Sequence, residues 1–248
     1  MAMNKDTVRN RIVEIGIVPA IRFSSAEDAL FAAEAISGSG IPILEVTMTV
    51  PGALEVISEL VRSNPELVVG AGTVSDVETA RRCLDAGAVF LTTPGLDVSI
   101  VEFAKKENTV VFPGALTPSE IMVAWKAGSD FVKVFPCSVL GGPDYIKALA
   151  KPFPAIPLIA SGGVNQQTAA AFIHAGAVAL GIGRDLIHAD AIQHRERGWI
   201  RELSWRYLKM VRDARSRLQT TPQQQRRESV RRRPDPRDGR RLAIRPAS

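Results

Sequence analysis

From residue 17 to about residue 217, short runs of β-branched and other apolar residues alternate with longer stretches whose apolar positions recur at helical spacing. The strand-like runs are Ile17–Arg22, Ile43–Met48, Leu67–Gly72, Val89–Thr93, Thr109–Pro113, Phe131–Phe135, Ile156–Ser161 and Val178–Ile182. Between them, Ser25–Ser37, Ala53–Arg62, Asp76–Ala86, Ser119–Ala127 and Gln167–Ala175 read as amphipathic helices. Gly40, Gly87, Gly128 and Gly176 stand where several of these helices end. Ser24, Ser75 and Thr117 lie near the expected N-caps. Strand and helix alternating eight times predict one α/β domain, a (β/α)₈ or TIM barrel. A doubly wound sheet is the structural alternative, but the glycine fingerprint that would follow its first strand is missing. Residues 4–16 predict an extra N-terminal helix covering the barrel bottom, and 199–217 predict the last helix, with Trp199, Leu203, Tyr207, Met210 and Val211.

After Leu218 the pattern stops. Residues 219–248 combine a glutamine run, prolines and clustered arginine, and predict a disordered basic tail following a barrel of residues 1–218. The net charge of +5 resides in that tail, for residues 220–248 hold nine arginines against three acids. The remaining 22 basic and 23 acidic residues make the body nearly neutral, which argues against a nucleic-acid binder as a whole and leaves RNA or a membrane surface to the tail alone. With 248 residues, 46% of them hydrophobic, the chain can bury one large core. No apolar run reaches the roughly 18 residues of a membrane span, and residues 1–11 lack the apolar centre of a secretory signal. Two cysteines, Cys83 and Cys137, form neither a disulfide framework nor a CxxC metal site, so a reducing, cytoplasmic location is expected.

Candidate chemistry begins with Lys133 in the run Phe131–Val132–Lys133–Val134–Phe135–Pro136. Strand alternation turns it to the same side as Phe131 and Phe135, where desolvation disfavours an ammonium; a lysine left partly neutral is a nucleophile toward a carbonyl. A lone lysine reads equally as an edge-strand residue with its head in water, and the rest of the pattern decides. On the second strand, Glu45, Thr47 and Thr49 share a face, while Val46 and Met48 face the helices. An acid inside a barrel needs a partner, and Lys133 is the obvious one, as a structural ion pair or as a catalytic pair. Gly70–Ala71–Gly72–Thr73 and Thr92–Thr93–Pro94–Gly95 leave room for a small ligand at strand ends. Ser161–Gly162–Gly163–Val164 and Gly181–Ile182–Gly183–Arg184 follow strands seven and eight, where barrels bind phosphate beside a helix N-terminus; tight turns are the competing reading. His174, His188 and His194 lack metal-ligand spacing, Cys137 reads as a small buried residue, and Met122 and Trp125 read as core.

Taken in order, Glu45–Val46–Thr47, Gly70–Thr73, Pro94–Gly95, Pro113–Gly114, Phe131–Pro136 and Gly162–Val164 resemble the 2-keto-3-deoxy-6-phosphogluconate (KDPG) and 4-hydroxy-2-oxoglutarate (KHG) aldolase family over about residues 8–215. The resemblance implies a class I, Schiff-base lyase of carbohydrate metabolism, in the Entner–Doudoroff pathway. It also implies a homotrimer that needs no metal or other cofactor and acts on a small 2-keto acid. By position, Lys133 becomes the Schiff-base lysine and Glu45 the general acid/base. Arg22, Thr47, Thr49, Thr73, Pro94 and Phe135 become substrate-binding, and Gly162, Gly163, Gly183 and Arg184 phosphate-binding. Many members carry a carboxylate-gripping arginine where this chain has Thr49, and Arg22 is placed to supply that fork from the next strand. Where the family usually has serine at the phosphate, this chain has Arg184, which either strengthens the anion site or turns outward. The expected products are pyruvate and glyceraldehyde 3-phosphate. Cleavage of 4-hydroxy-2-oxoglutarate or of the phosphogalactonate epimer is the alternative within the class, and a non-catalytic barrel binding a phosphorylated metabolite or RNA the alternative outside it.

Overall fold

The computed structural model describes residues 3–231, with side chains through Leu218. Nine parallel strands make one sheet: β1 (Ile17–Ile21), β2 (Ile43–Thr47), β3 (Val68–Gly72), β4 (Phe90–Thr92), β5 (Val110–Phe112), β6 (Gly114–Ala115), β7 (Val132–Val134), β8 (Leu158–Ser161) and β9 (Ala179–Ile182). Their order is β5-β4-β3-β2-β1-β9-β8-β7-β6. The two ends of that order are one extended run interrupted at Pro113, which has no N–H to give to a ladder. One half pairs with β4 and the other with β7, and Lys133 N–H reaches the Pro113 carbonyl at 2.9 Å, so the ring closes. The expected eight-stranded barrel is therefore present, its fifth strand split in two.

Ten helices accompany the strands among the described residues: α1 (Lys5–Ile15), α2 (Ala26–Ser37), α3 (Ala53–Ser63), α4 (Val77–Asp85), α5 (Val98–Lys106), α6 (Pro118–Ala127), α7 (Pro143–Ala150), α8 (Ala169–His174), α9 (Ala189–Gln193) and α10 (Arg197–Arg231). The caps of α2 and α4 are Ser25 and Asp76, each one residue beyond the serine expected near that position, because it is their oxygens that accept the N–H groups of Asp28 and Thr79. Helix α10 runs past Leu218, through a stretch rich in the helix formers Gln and Arg. It overlaps the beginning of the segment expected to be disordered, and residues 232–248 of that segment lie outside the described residues. On α6 only Ile121 and Ala124 are buried; Met122 falls off that stripe and is exposed rather than core, and Trp125 is half-buried. No helix among the described residues is long and apolar enough to cross a membrane.

The barrel interior is graded. At its lower end Phe90 stacks on Phe112 (5.3 Å between ring centroids) and Phe112 meets Phe131 edge-on at 5.9 Å. Val8 and Ile12 of α1 complete this cluster and close the bottom, as the sequence predicts. Gly70 makes the packing possible, since a Cβ there would lie 2.2 Å from the Phe90 ring. Arg215 of α10 anchors the plug by donating to the carbonyls of Val13, Glu14 and Val178, and burial lowers the pKa of its guanidinium. Toward the upper end the inward positions turn polar: Glu45, Thr92, Lys133 and Ser161 are all buried there.

Candidate active site

Lys133 sits on β7 between Val132 and Val134, which point outward into the helix-facing core. Its own side chain points inward and is 8% exposed. Nζ lies 3.6 Å from Glu45 Oε1, donates to Thr92 Oγ1 at 3.2 Å, and stands 5.5 Å from the centre of the Phe135 ring. Glu45, 3% exposed, reaches this position because β3 carries no side chain in its way: a Cβ on Gly72 would lie 2.0 Å from Oε1. The pair sits at the wall of a cavity of about 190 Å³ at the upper end of the barrel.

Most of the residues singled out in the sequence meet at this cavity. Lys133, Glu45, Arg22, Thr73, Pro94 and Phe135 line it, as do Gly162, Gly163, Gly183 and Arg184. Arg22 reaches across from the end of β1 and donates to Thr73 Oγ1 at 3.1 Å. Thr73 holds φ at 59°, a left-handed conformation that a β-branched residue enters only at a cost, and such outliers gather at functional sites. Pro94 is brought in by the Thr93 hydroxyl, which donates to the Gly95 carbonyl and accepts from the Gly114 N–H. Gly114 leaves space for that loop, since a Cβ there would lie 2.3 Å from the Pro94 carbonyl oxygen.

Thr47 and Thr49 stand outside this lining. Strand β2 ends at Thr47, so the alternation expected to carry through Thr49 is lost in the turn that follows. Thr47 Oγ1 is spent on the Ile21 carbonyl at 3.0 Å and on Thr49 Oγ1 at 2.8 Å. Thr49 opens instead onto an adjoining depression of about 430 Å³ shared with Thr73 and Arg82. The helix N-terminus expected beside the glycines is also displaced: α8 and α9 begin only at Ala169 and Ala189, and loop backbone forms that end of the cavity. Gly162 and Gly163 hold φ at 85° and 83°, values open to glycine at no steric cost.

Three residues to which the sequence gives no individual role belong to the site's surroundings. Ser161 and Asp185 line the cavity, and Thr92 holds the Lys133 amine. Ser161 opens one glycine motif and Asp185 directly follows the other, while Thr92 opens the Thr92–Gly95 strand end, and those positions were the available signal. Arg184 is exposed and forms no ion pair among the described residues, so its charge is free for a ligand. Cys137 lies behind the lining, its Sγ on the Gly162 carbonyl, and burial pushes its thiol up to about 11, away from reactivity. Among the described residues no group of three or more His, Cys, Asp or Glu side chains could hold a metal ion.

A buried amine beside a carboxylate, opening on a small cavity with further cations at its rim, is suited to addition of the amine to a carbonyl of an anionic substrate. Comparison with known proteins agrees. The chain is 36% identical to the 2-dehydro-3-deoxy-phosphogluconate aldolase of Pseudomonas aeruginosa over 160 residues, covering 64% of this chain and 73% of that one. It is 30% identical to the enzyme of the same name from Treponema pallidum over 206 residues, 83% of this chain and 98% of that one. A crystal structure of KDPG aldolase from Legionella pneumophila, with pyruvate captured as a covalent carbinolamine intermediate, superposes with a TM-score of 0.73 at 28% identity, over 80% of this chain and 96% of that one. The family model of KDPG and KHG aldolases matches residues 8–203, and this chain belongs to that family.

Proposed function

We infer that this aldolase, a carbon–carbon lyase, cleaves 2-keto-3-deoxy-6-phosphogluconate to pyruvate and glyceraldehyde 3-phosphate through a Schiff base on Lys133. The observation that carries the reading is the buried Lys133–Glu45 pair, 3.6 Å apart at the cavity wall. Glu45 takes a proton from the Lys133 ammonium. The freed lone pair forms the bond to C2 of the keto acid, and the proton released from nitrogen passes to the C2 oxygen, giving a carbinolamine. Glu45 returns its proton as the hydroxyl leaves as water, which yields the iminium. Removal of the C4 hydroxyl proton by Glu45, through water, then breaks C3–C4 as the electron pair enters the C3–C2–N system. The aldehyde departs, C3 of the enamine is protonated, and water hydrolyses the iminium to release pyruvate and the free lysine.

In this reading Arg22 grips the substrate carboxylate, and Thr73, Pro94 and Phe135 enclose the pyruvate portion. Gly162, Gly163, Gly183 and Arg184 receive the phosphate, with Arg184 supplying a free cation. Thr47 acts at one remove, by fixing the β1–β2 edge through the Ile21 carbonyl. The enzyme needs no metal, acts in the cytoplasm within the Entner–Doudoroff pathway, and assembles as a homotrimer of barrels spanning residues 1–218, each with an arginine-rich tail of 219–248.

The test is borohydride reduction in the presence of pyruvate followed by peptide mass spectrometry. A reduced pyruvyl adduct on Lys133 is expected; folded protein without an adduct would remove the Schiff-base reading. Turnover is then compared between the phosphorylated substrate and its unphosphorylated counterpart, and equal kcat/KM for both would remove the phosphate site.

A further inference from the structure

Lys133 Nζ makes one hydrogen bond among the described residues, and its partner is not Glu45 but Thr92, at 3.2 Å. At 3.6 Å the Glu45 carboxylate is an ion-pair partner just beyond a good hydrogen bond. Thr92 belongs to β4, which is separated from β7 by the β5–β6 run. In that run Phe112 is the ladder partner of Thr92 and Gly114 that of Lys133. Lys133 nonetheless reaches across that run to Thr92. Thr92 is fully buried, and its own carbonyl accepts from Val74 N–H at 3.1 Å, which holds the residue in place. A hydroxyl at a fully buried position costs free energy unless it is used, and its use here is the lysine amine.

We propose that Thr92 is a positioning residue for Schiff-base formation: its hydroxyl accepts the one N–H that Lys133 keeps throughout, and so aims the nitrogen lone pair, and then the planar iminium, at the cavity. The inference rests on Lys133 being the nucleophile. The ammonium carries three protons and the iminium one, so two leave nitrogen: one to Glu45 and one to the C2 oxygen. The proton that stays is the one directed at Thr92. With Cε anchored on the strand and that N–H fixed, the remaining trigonal direction at Nζ faces the cavity, where C2 must bind. Thr92 itself forms and breaks no covalent bond.

The experiment measures the rate of borohydride-trappable adduct formation against pyruvate concentration for the wild type, Thr92→Val and Thr92→Ser, with folding checked by circular dichroism. Loss of a hydrogen bond to a charged group predicts that Thr92→Val lowers the limiting rate by roughly tenfold or more while half-saturation by pyruvate stays put. Thr92→Ser is expected to restore the rate. Should Thr92→Val not fold, Thr92→Cys, with its weak acceptor, takes its place. A wild-type rate in Thr92→Val, or a Thr92→Ser as slow as Thr92→Val, would overturn the proposal. Failure of the wild type to trap pyruvate on Lys133 would instead take down the Schiff-base reading on which it depends.

Discussion

Glu45 owes its place to an atom that is absent. A Cβ on Gly72 would lie 2.0 Å from Oε1 and 2.6 Å from Cγ, so Gly72→Ala must displace the carboxylate. The carboxylate is then moved from its place beside Lys133, and its loss as a proton carrier is expected to lower kcat by about 10²-fold with the far-ultraviolet spectrum unchanged. Wild-type kcat in Gly72→Ala would show that Glu45 is not the acid/base. At the rim, Arg22 donates to Thr73 and lines the cavity, and Arg22→Ala is expected to raise KM roughly tenfold, the worth of a charge-assisted hydrogen bond, with a smaller change in kcat. An unchanged KM in steady-state kinetics would move carboxylate recognition elsewhere. Lys133 and Glu45 were legible in the sequence because a strand has period two and an inward charge stands out against apolar neighbours. Thr92 stood in the sequence only as the start of the Thr92–Gly95 strand end; its hold on Lys133 was not legible, since that contact crosses an intervening strand. Thr49 was misplaced for a related reason: nothing in Val46–Thr47–Met48–Thr49 marks where the ladder stops.

Strands were readable to within two residues, whereas helices such as α5 and α7, breaks and caps were less so. Pro113 divides β5 from β6 without a change in hydrophobic pattern, because both halves continue the same buried run. Helix α6 shows what a strong local signal looks like. Thr117 accepts from Glu120 N–H at 3.3 Å, Glu120 accepts in return from Thr117 N–H at 2.7 Å, and Pro118 opens the helix. The N–H groups of Leu116 and Thr117, and then the Thr117 hydroxyl, hold the Glu120 carboxyl below its ordinary value of 4.5. A carboxyl with a lowered folded-state value stabilises the fold fully above its unfolded value, and the contribution fades as pH falls through the folded one. The stability advantage of wild type over Glu120→Gln, measured by urea unfolding, is therefore expected to be present at pH 7 and to shrink below about 4.5. A difference independent of pH would mean that the charge contributes nothing and the cap acts through shape alone.

Across the whole molecule, the division between apolar floor and polar mouth follows from the strands being parallel: every strand enters at the α1 end and leaves at the cavity, so residues late in each run collect there. The same topology gathers the site within the barrel part of the chain. Among the described residues every one that lines the cavity falls between Ala20 and Asp185, and α10 buries Tyr207, Val211 and Ala214 before the arginine-rich segment begins. Residues 220–248 nonetheless hold the chain's entire positive excess, leaving a body of 22 basic and 23 acidic residues. Removing them is expected to leave kcat/KM for aldol cleavage unchanged, because the cavity lining and the buried core seen among the described residues all precede them. It is also expected to abolish any salt-sensitive retention on an RNA matrix, because counterion release needs an excess of cations and the body's charges balance. The two readouts separate the remaining alternatives. Lost cleavage in a folded truncation would tie the tail to the site, and retention that survives the deletion would place a polyanion surface on the barrel itself, where Arg22 and Arg184 stand at the mouth of the cavity.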